Sequence, residues 1–174
     1  MIDLSNVAAE VELEIDAPPE VVWDLVTDLS QTPHRNLETV ETSWVPPHDR
    51  AVVGAVFAGT NVMDDMTWTV ECHVIVADRG RAFEWTVLDP AEPSSSWWYR
   101  LAPTESGTGT LVRHGFQHGP GPSHVRTFIE NDPSAEAAVM AGRTRMLERN
   151  MRHTLACIKA EAEGTEPPAA RPRS

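Results

Sequence analysis

Long hydrophobic runs are missing from this 174-residue chain: nowhere do eighteen apolar residues stand together, so no membrane span is expected. Cysteine is scarce as well. Cys72 and Cys157 are too few for a disulfide framework, and a reducing cytoplasm is the expected location. The start, Met1-Ile2-Asp3-Leu4, lacks the basic-then-apolar order of a secretion signal. Basic residues are almost absent from the first 78 positions, where Arg35 and Arg50 face 15 acids; residues 79–174 hold 12 basic and 11 acidic residues. With a net charge of −12, the chain is a poor match for nucleic acid, whose binding depends on neutralising phosphates. The acidic half reads as a solvated face, with a basic protein partner as the alternative.

Catalytic and metal signatures are also thin. No Gly-x-Ser-x-Gly elbow occurs. Gly119-Pro-Gly-Pro122 cannot cradle phosphate, because proline removes the amides and no Lys-Ser/Thr follows; it reads as a chain reversal. Cys72 and His73 point to opposite faces of a strand, and His114, His118 and His124 converge only if the Gly-Pro loop folds back. No metal and no cofactor are therefore expected.

What is present is alternation. Val7 to Ile15 places Val7, Ala9, Val11, Leu13 and Ile15 on one side and acids on the other, as in a half-buried antiparallel strand. A short helix follows Asp16-Ala17-Pro18-Pro19, with Val22, Leu25 and Val26 at helical spacing. Further strands are expected over Leu37–Val45, Gly54–Asn61, Thr67–Ala77, Ala82–Leu88, Ser96–Leu101 and Thr110–His118. Turns are expected at Met63-Asp64-Asp65, Arg79-Gly80-Arg81 and Ser106–Gly109. In the third and fourth strands Ala55, Phe57, Gly59 and Asn61 share one face, as do Trp68, Val70, Cys72, Val74 and Val76. Ser123–Asn131 suits a helical turn.

The last element, Pro133 to Glu163, is the longest: Met140, Leu147, Met151 and Ile158 form a narrow stripe flanked by Thr144, Thr154 and Leu155. Asp132 is the expected N-cap, Pro133 the first helical residue and Gly164 the stop. Together these elements give an α+β domain over residues 1–163: a curved antiparallel sheet of about seven strands wrapped on a long C-terminal helix. Residues 164–174 form a tail, disordered by composition.

This element order resembles the helix-grip fold of START-like proteins. Ala17-Pro18-Pro19-Glu20-Val21-Val22-Trp23 is similar to its strand-to-helix corner. Gly54-Ala-Val-Phe57-Ala-Gly59-Thr-Asn61 with Trp68 and Cys72 is similar to its central hairpin. Trp98-Tyr99-Arg100-Leu101 and Gly109-Thr110-Leu-Val-Arg113 resemble its last strands. Gly119-Pro-Gly-Pro-Ser123 and Asn150-Met151 resemble a bacterial subgroup of polyketide cyclase/dehydrase-like proteins, although His34-Arg35-Asn36-Leu37 stands where that subgroup often carries aromatic-Ser-Pro.

The resemblance implies a cavity between sheet and helix. The inward faces supply Phe57, Asn61, Trp68, Val70, Trp85, Tyr99, His114 and Phe116, and the helix supplies Leu147 and Met151 as a lid. Three functions follow as expectations. The first is binding of a hydrophobic small molecule, polyketide- or lipid-like. The second is a polyketide cyclase/aromatase or dehydratase with His114 and Tyr99 in acid/base roles. The third is a protein-interaction domain using the acidic half. Arg143 either reaches solvent or meets a ligand carboxylate at the mouth. A homodimer is left open.

Overall fold

The structure, a computed structural model, describes residues 2–169. Met1 and residues 170–174, the end of the expected tail, lie outside the described residues, and residues 165–169 carry no regular structure. Seven strands form one antiparallel sheet: β1 Ala8–Ile15, β2 Thr39–Trp44, β3 Val56–Met63, β4 Met66–Asp78, β5 Ala82–Val87, β6 Ser95–Pro103 and β7 Thr110–His118. Four α-helices accompany it: α1 Pro19–Thr27, α2 Thr32–Arg35, α3 His124–Asn131 and α4 Glu136–Glu163. The spatial order is β1-β7-β6-β5-β4-β3-β2. After β1 the chain therefore crosses to the far edge through α1 and α2, then returns strand by strand until β7 pairs with β1. The sheet curves, and α4 runs alongside β1 and touches β7.

Local chemistry explains the elements. In β1, Ala9, Val11 and Ile15 are buried while Glu10, Glu12 and Glu14 face outward, or nearly so, as alternation demands. Pro18 and Pro19 preset the φ angle for the first turn of α1, which buries Val22, Trp23 and Val26. The two-residue turn between Met63 and Met66 needs a left-handed backbone, and Asp64 adopts it at φ 51°. Gly119 and Gly121 donate to Ser94 and Pro93 carbonyls at 2.9 Å each. A Cβ at either position would collide with the backbone of Pro93 or Glu92. The Gly-Pro segment is thus a reversal locked onto the β5–β6 loop.

Several boundaries and faces differ from expectation. The third strand begins at Val56, because Gly54 takes φ 86° and cannot continue a strand. The second is shorter than Leu37–Val45, since Asn36 Oδ1 accepts from the Glu38 and Thr39 amides in a local turn. A bulge between Val74 and Val76 breaks the alternation of β4, so Ala77 rather than Val76 joins the core, opposite Phe83. Asp132 caps a 3-10 turn over Pro133–Ala135, accepting from the Ser134 amide, and α4 starts only at Glu136. Gly164 ends α4 in the left-handed conformation at φ 66°.

Two arginines hold the structure from inside. Arg35, 3% exposed, pairs bidentately with Glu161 on α4 at 2.8 and 2.5 Å and donates to the Leu25 carbonyl at 2.6 Å. Arg126 on α3 donates to the Ile2, Gly119 and Gly121 carbonyls, tying the N-terminal segment to the Gly-Pro reversal. Both satisfy donors that burial would otherwise strand.

Candidate functional site

A cavity of about 440 Å³ lies against the concave face of the sheet, closed by the end of α1 and the turn after it, by the start of α3, and by Arg143 of α4. Its floor comes from alternate residues of five strands, because only every second side chain of a strand faces inward. Phe57, Gly59 and Asn61 come from β3, Trp68, Val70 and Cys72 from β4, Phe83, Trp85 and Val87 from β5, Trp97 and Tyr99 from β6, and His114 and Phe116 from β7. The rim adds Thr32, Asn36, Glu38 and Thr39 on one side and His124, Val125, Thr127 and Arg143 on another.

Of the residues expected at a site, Phe57, Asn61, Trp68, Val70, Trp85, Tyr99, His114 and Phe116 all line this cavity. Leu147 and Met151 do not line it: each is 1% exposed and packs into the core, because the deep stripe of α4 lies beyond the cavity's end. Pattern reading missed Glu38, Ser123 and Thr127, and it weighed His118 and His124 only as metal ligands beside His114, not as cavity lining. These five sit in a local turn, at the end of β7 and at the start of or on α3, where period-2 reading does not reach; Ser123 is the N-cap of α3, accepting from the Arg126 amide.

The wall is aromatic and continuous. Trp85 and Trp97 are parallel within 2° at a centroid distance of 6.2 Å. Tyr99 lies over His114 at 4.1 Å with planes 14° apart. Phe116 meets Trp97 edge-on at 4.7 Å. Across the mouth His124 meets Trp68 edge-on at 5.2 Å. Such contacts add to the burial of apolar area and fix ring orientations.

Burial keeps the polar atoms of this wall neutral. His114 Nδ1 lies 3.0 Å from the Trp98 carbonyl, an acceptor only, so Nδ1 carries the hydrogen and Nε2 is left as an acceptor. Burial lowers the His114 pKa to about 4, against a smaller upward pull from that bond. Burial raises the Tyr99 phenol, partly opposed by the Arg35 charge, and pushes the Cys72 thiol up to about 12. A thiol held protonated this firmly is no nucleophile. His118 is also lowered by burial; its Nδ1 donates to the Gly119 carbonyl at 2.8 Å and its Nε2 meets Ser123 Oγ at 2.9 Å. Both of its nitrogens are engaged. Among the described residues no three His, Cys, Asp or Glu side chains are grouped to hold a metal ion.

Arg143 and Glu38 are the charged members of the rim, in a bidentate pair at 2.8 and 3.0 Å. Arg143 therefore reaches neither open solvent nor an unpaired site. Glu38 is held in place because Asn150, two turns further along α4, accepts from the Leu37 amide and donates to Asn36 Oδ1. Asn61, at the same rim, accepts from Thr39 Oγ1 at 2.9 Å.

Known proteins share this architecture. The solution structure of a polyketide-cyclase-like protein from Corynebacterium glutamicum is 27% identical over 90% of this chain and 91% of its own, with a TM-score of 0.65. The aromatase/cyclase Zhui from Streptomyces sp. R1128 is 15% identical over 90% and 93%, with a TM-score of 0.63. The di-domain aromatase/cyclase StfQ of the steffimycin pathway is 16% identical, with a TM-score of 0.69; the match covers 91% of this chain and 51% of that one. No curated protein matches by sequence. Residues 6–163, nearly every element described above, match the family of polyketide cyclase / dehydrase and lipid transport proteins, and the chain belongs to that family.

Proposed function

We propose that this protein binds a flat, mostly apolar small molecule of polyketide type in the cavity. One observation carries the reading: an aromatic floor of stacked and edge-on rings surrounds about 440 Å³ of space in which the only charges are a self-paired Arg143–Glu38 rim. Apolar lining with a few placed polar atoms is the usual make-up of a small-molecule site. The family supports the polyketide class.

The test is a cavity-filling variant. A Cβ at Gly59 would meet nothing closer than Thr42 Cγ2 at 3.9 Å, so Gly59→Phe can enter the cavity without a backbone clash. Titration of the wild type with anthraquinone, followed by tryptophan quenching, should saturate at one site. Gly59→Phe should keep the fold by circular dichroism and lose the binding. Equal binding by the variant would place the ligand elsewhere.

A second reading, cyclisation or dehydration of such a ligand, is favoured by the free His114 Nε2 beside Tyr99. It ranks second because an imidazole with a pKa near 4 is a weak base at neutral pH. If it holds, His114→Phe should abolish turnover of a linear poly-β-ketone while keeping the fold by circular dichroism.

A further inference from the structure

Buried polar atoms almost always find a partner, and two atoms of the cavity wall have none. Thr86 Oγ1 is the sole side-chain N or O, among the described residues, that is sealed from solvent without a hydrogen bond. His114 Nε2 and Tyr99 Oη also lack a protein partner, but they belong to cavity-lining residues and are not sealed, so they open onto the cavity. The two residues are direct cross-strand partners, Tyr99 on β6 and His114 on β7, with their rings stacked. Their hydrogen-bond roles are fixed and complementary. The Trp98 carbonyl takes the Nδ1 hydrogen, which makes Nε2 an acceptor. Burial keeps the phenol protonated and able to donate. Trp85 and Trp97 flank the pair, at 5.9 Å from Tyr99 and His114 respectively, and line the same cavity.

Building on the ligand reading above, we propose that Tyr99 and His114 form a donor–acceptor pair selecting planar ligands that carry a carbonyl oxygen and a separate, free hydroxyl. Tyr99 Oη donates to the carbonyl, and His114 Nε2 accepts from the hydroxyl. A hydroxyl already bonded within the ligand to a neighbouring carbonyl has its proton engaged and gains little from Nε2. Leaving a buried acceptor unmatched weakens binding, which sets the discrimination at roughly tenfold.

Three isosteric probes test this on the wild-type protein at about pH 6, where phenols and His114 are both neutral. They are anthraquinone, 1-hydroxyanthraquinone, whose hydroxyl is internally bonded, and 2-hydroxyanthraquinone, whose hydroxyl is free. The 2-isomer should bind roughly tenfold tighter than the other two. His114→Phe, which preserves the stack on Tyr99, should erase that isomer difference. Tyr99→Phe should weaken all three alike. Equal binding of the two isomers by the wild type, or an advantage that survives His114→Phe, overturns the pair while leaving the cavity reading in place. If the wild type binds none of the three, both fall. The isomer comparison needs no variant, so it stands even if a substitution fails to fold.

Discussion

The two halves of α4 share one amphipathic sequence pattern and do different work. From Leu147 to Ala160 the helix is sealed: Leu147, Met151, Leu155 and Ile158 are each 1% exposed, and Asn150, Thr154 and Ala160 are buried beside them. Polar clips reinforce this half, through Arg35 to Glu161, Lys159 to the Glu14 carbonyl and Glu163 to the Asp16 amide. From Glu136 to Met146 no residue is buried, and Met146 is 37% exposed. This half reaches the cavity through Arg143, whose pair with Glu38 ties it to the rim. The difference teaches that the grip is a closed core at one end and a covered pocket at the other, with a single helix serving both.

Truncation should break the symmetry most strongly. Leu155→Ala removes a fully buried side chain and should cost about 3–4 kcal/mol, seen as a melting point lower by roughly 10 °C. Met140→Ala, on the same stripe but half-exposed, should cost less than about 1 kcal/mol. Equal losses would mean that both halves of α4 are packed alike.

Acid should act next, on the cavity wall. The His114 pKa is about 4 when folded against 6.5 as its ordinary value, so between these limits the unfolded chain binds the extra proton. Stability is therefore complete above about pH 6.5, falls as pH drops towards 4, and levels off below, with His114 contributing up to about 3 kcal/mol. His118, shifted the same way, adds to the slope. Chemical denaturation from pH 7 to 4 should show this fall, and His114→Phe should flatten part of it.

Much of the fold is legible in the sequence because a half-buried strand must alternate, and seven segments do so visibly. The same rule placed eight cavity-lining residues on the inner faces, from Phe57 to Phe116. It failed where backbone geometry or a single buried charge intervenes. The β4 bulge shifts the inward position from Val76 to Ala77, and no residue type announces it. Arg35 has the composition of a surface residue, and its burial depends on Glu161, 126 positions away. The helix wheel could not separate Met140 from Leu147, because the cavity is a property of the sheet's curvature and not of the helix.

The ion pairs sharpen the comparison at smaller scale. Arg35→Met should cost about 2 kcal/mol: its side chain is 4% exposed, but Glu161, at 36%, can recover water once the partner is gone. Arg143→Met should cost a similar amount, about 1–2 kcal/mol, because Glu38, at 16%, recovers less water than Glu161 does. It should also speed exchange of a bound probe, measured by stopped-flow quenching, because the rim clasp is lost.

The tryptophans offer the most direct test of the cavity as a ligand site. Trp68, Trp85 and Trp97 line it, while Trp98 sits on the outer face, donating to Glu10 at 2.7 Å, with Arg100 over its ring. Titration with 2-hydroxyanthraquinone, followed by the indole N–H resonances, should shift Trp68, Trp85 and Trp97 and leave Trp98 in place. A shift at Trp98 without the others, or no shift at the three, would contradict the account.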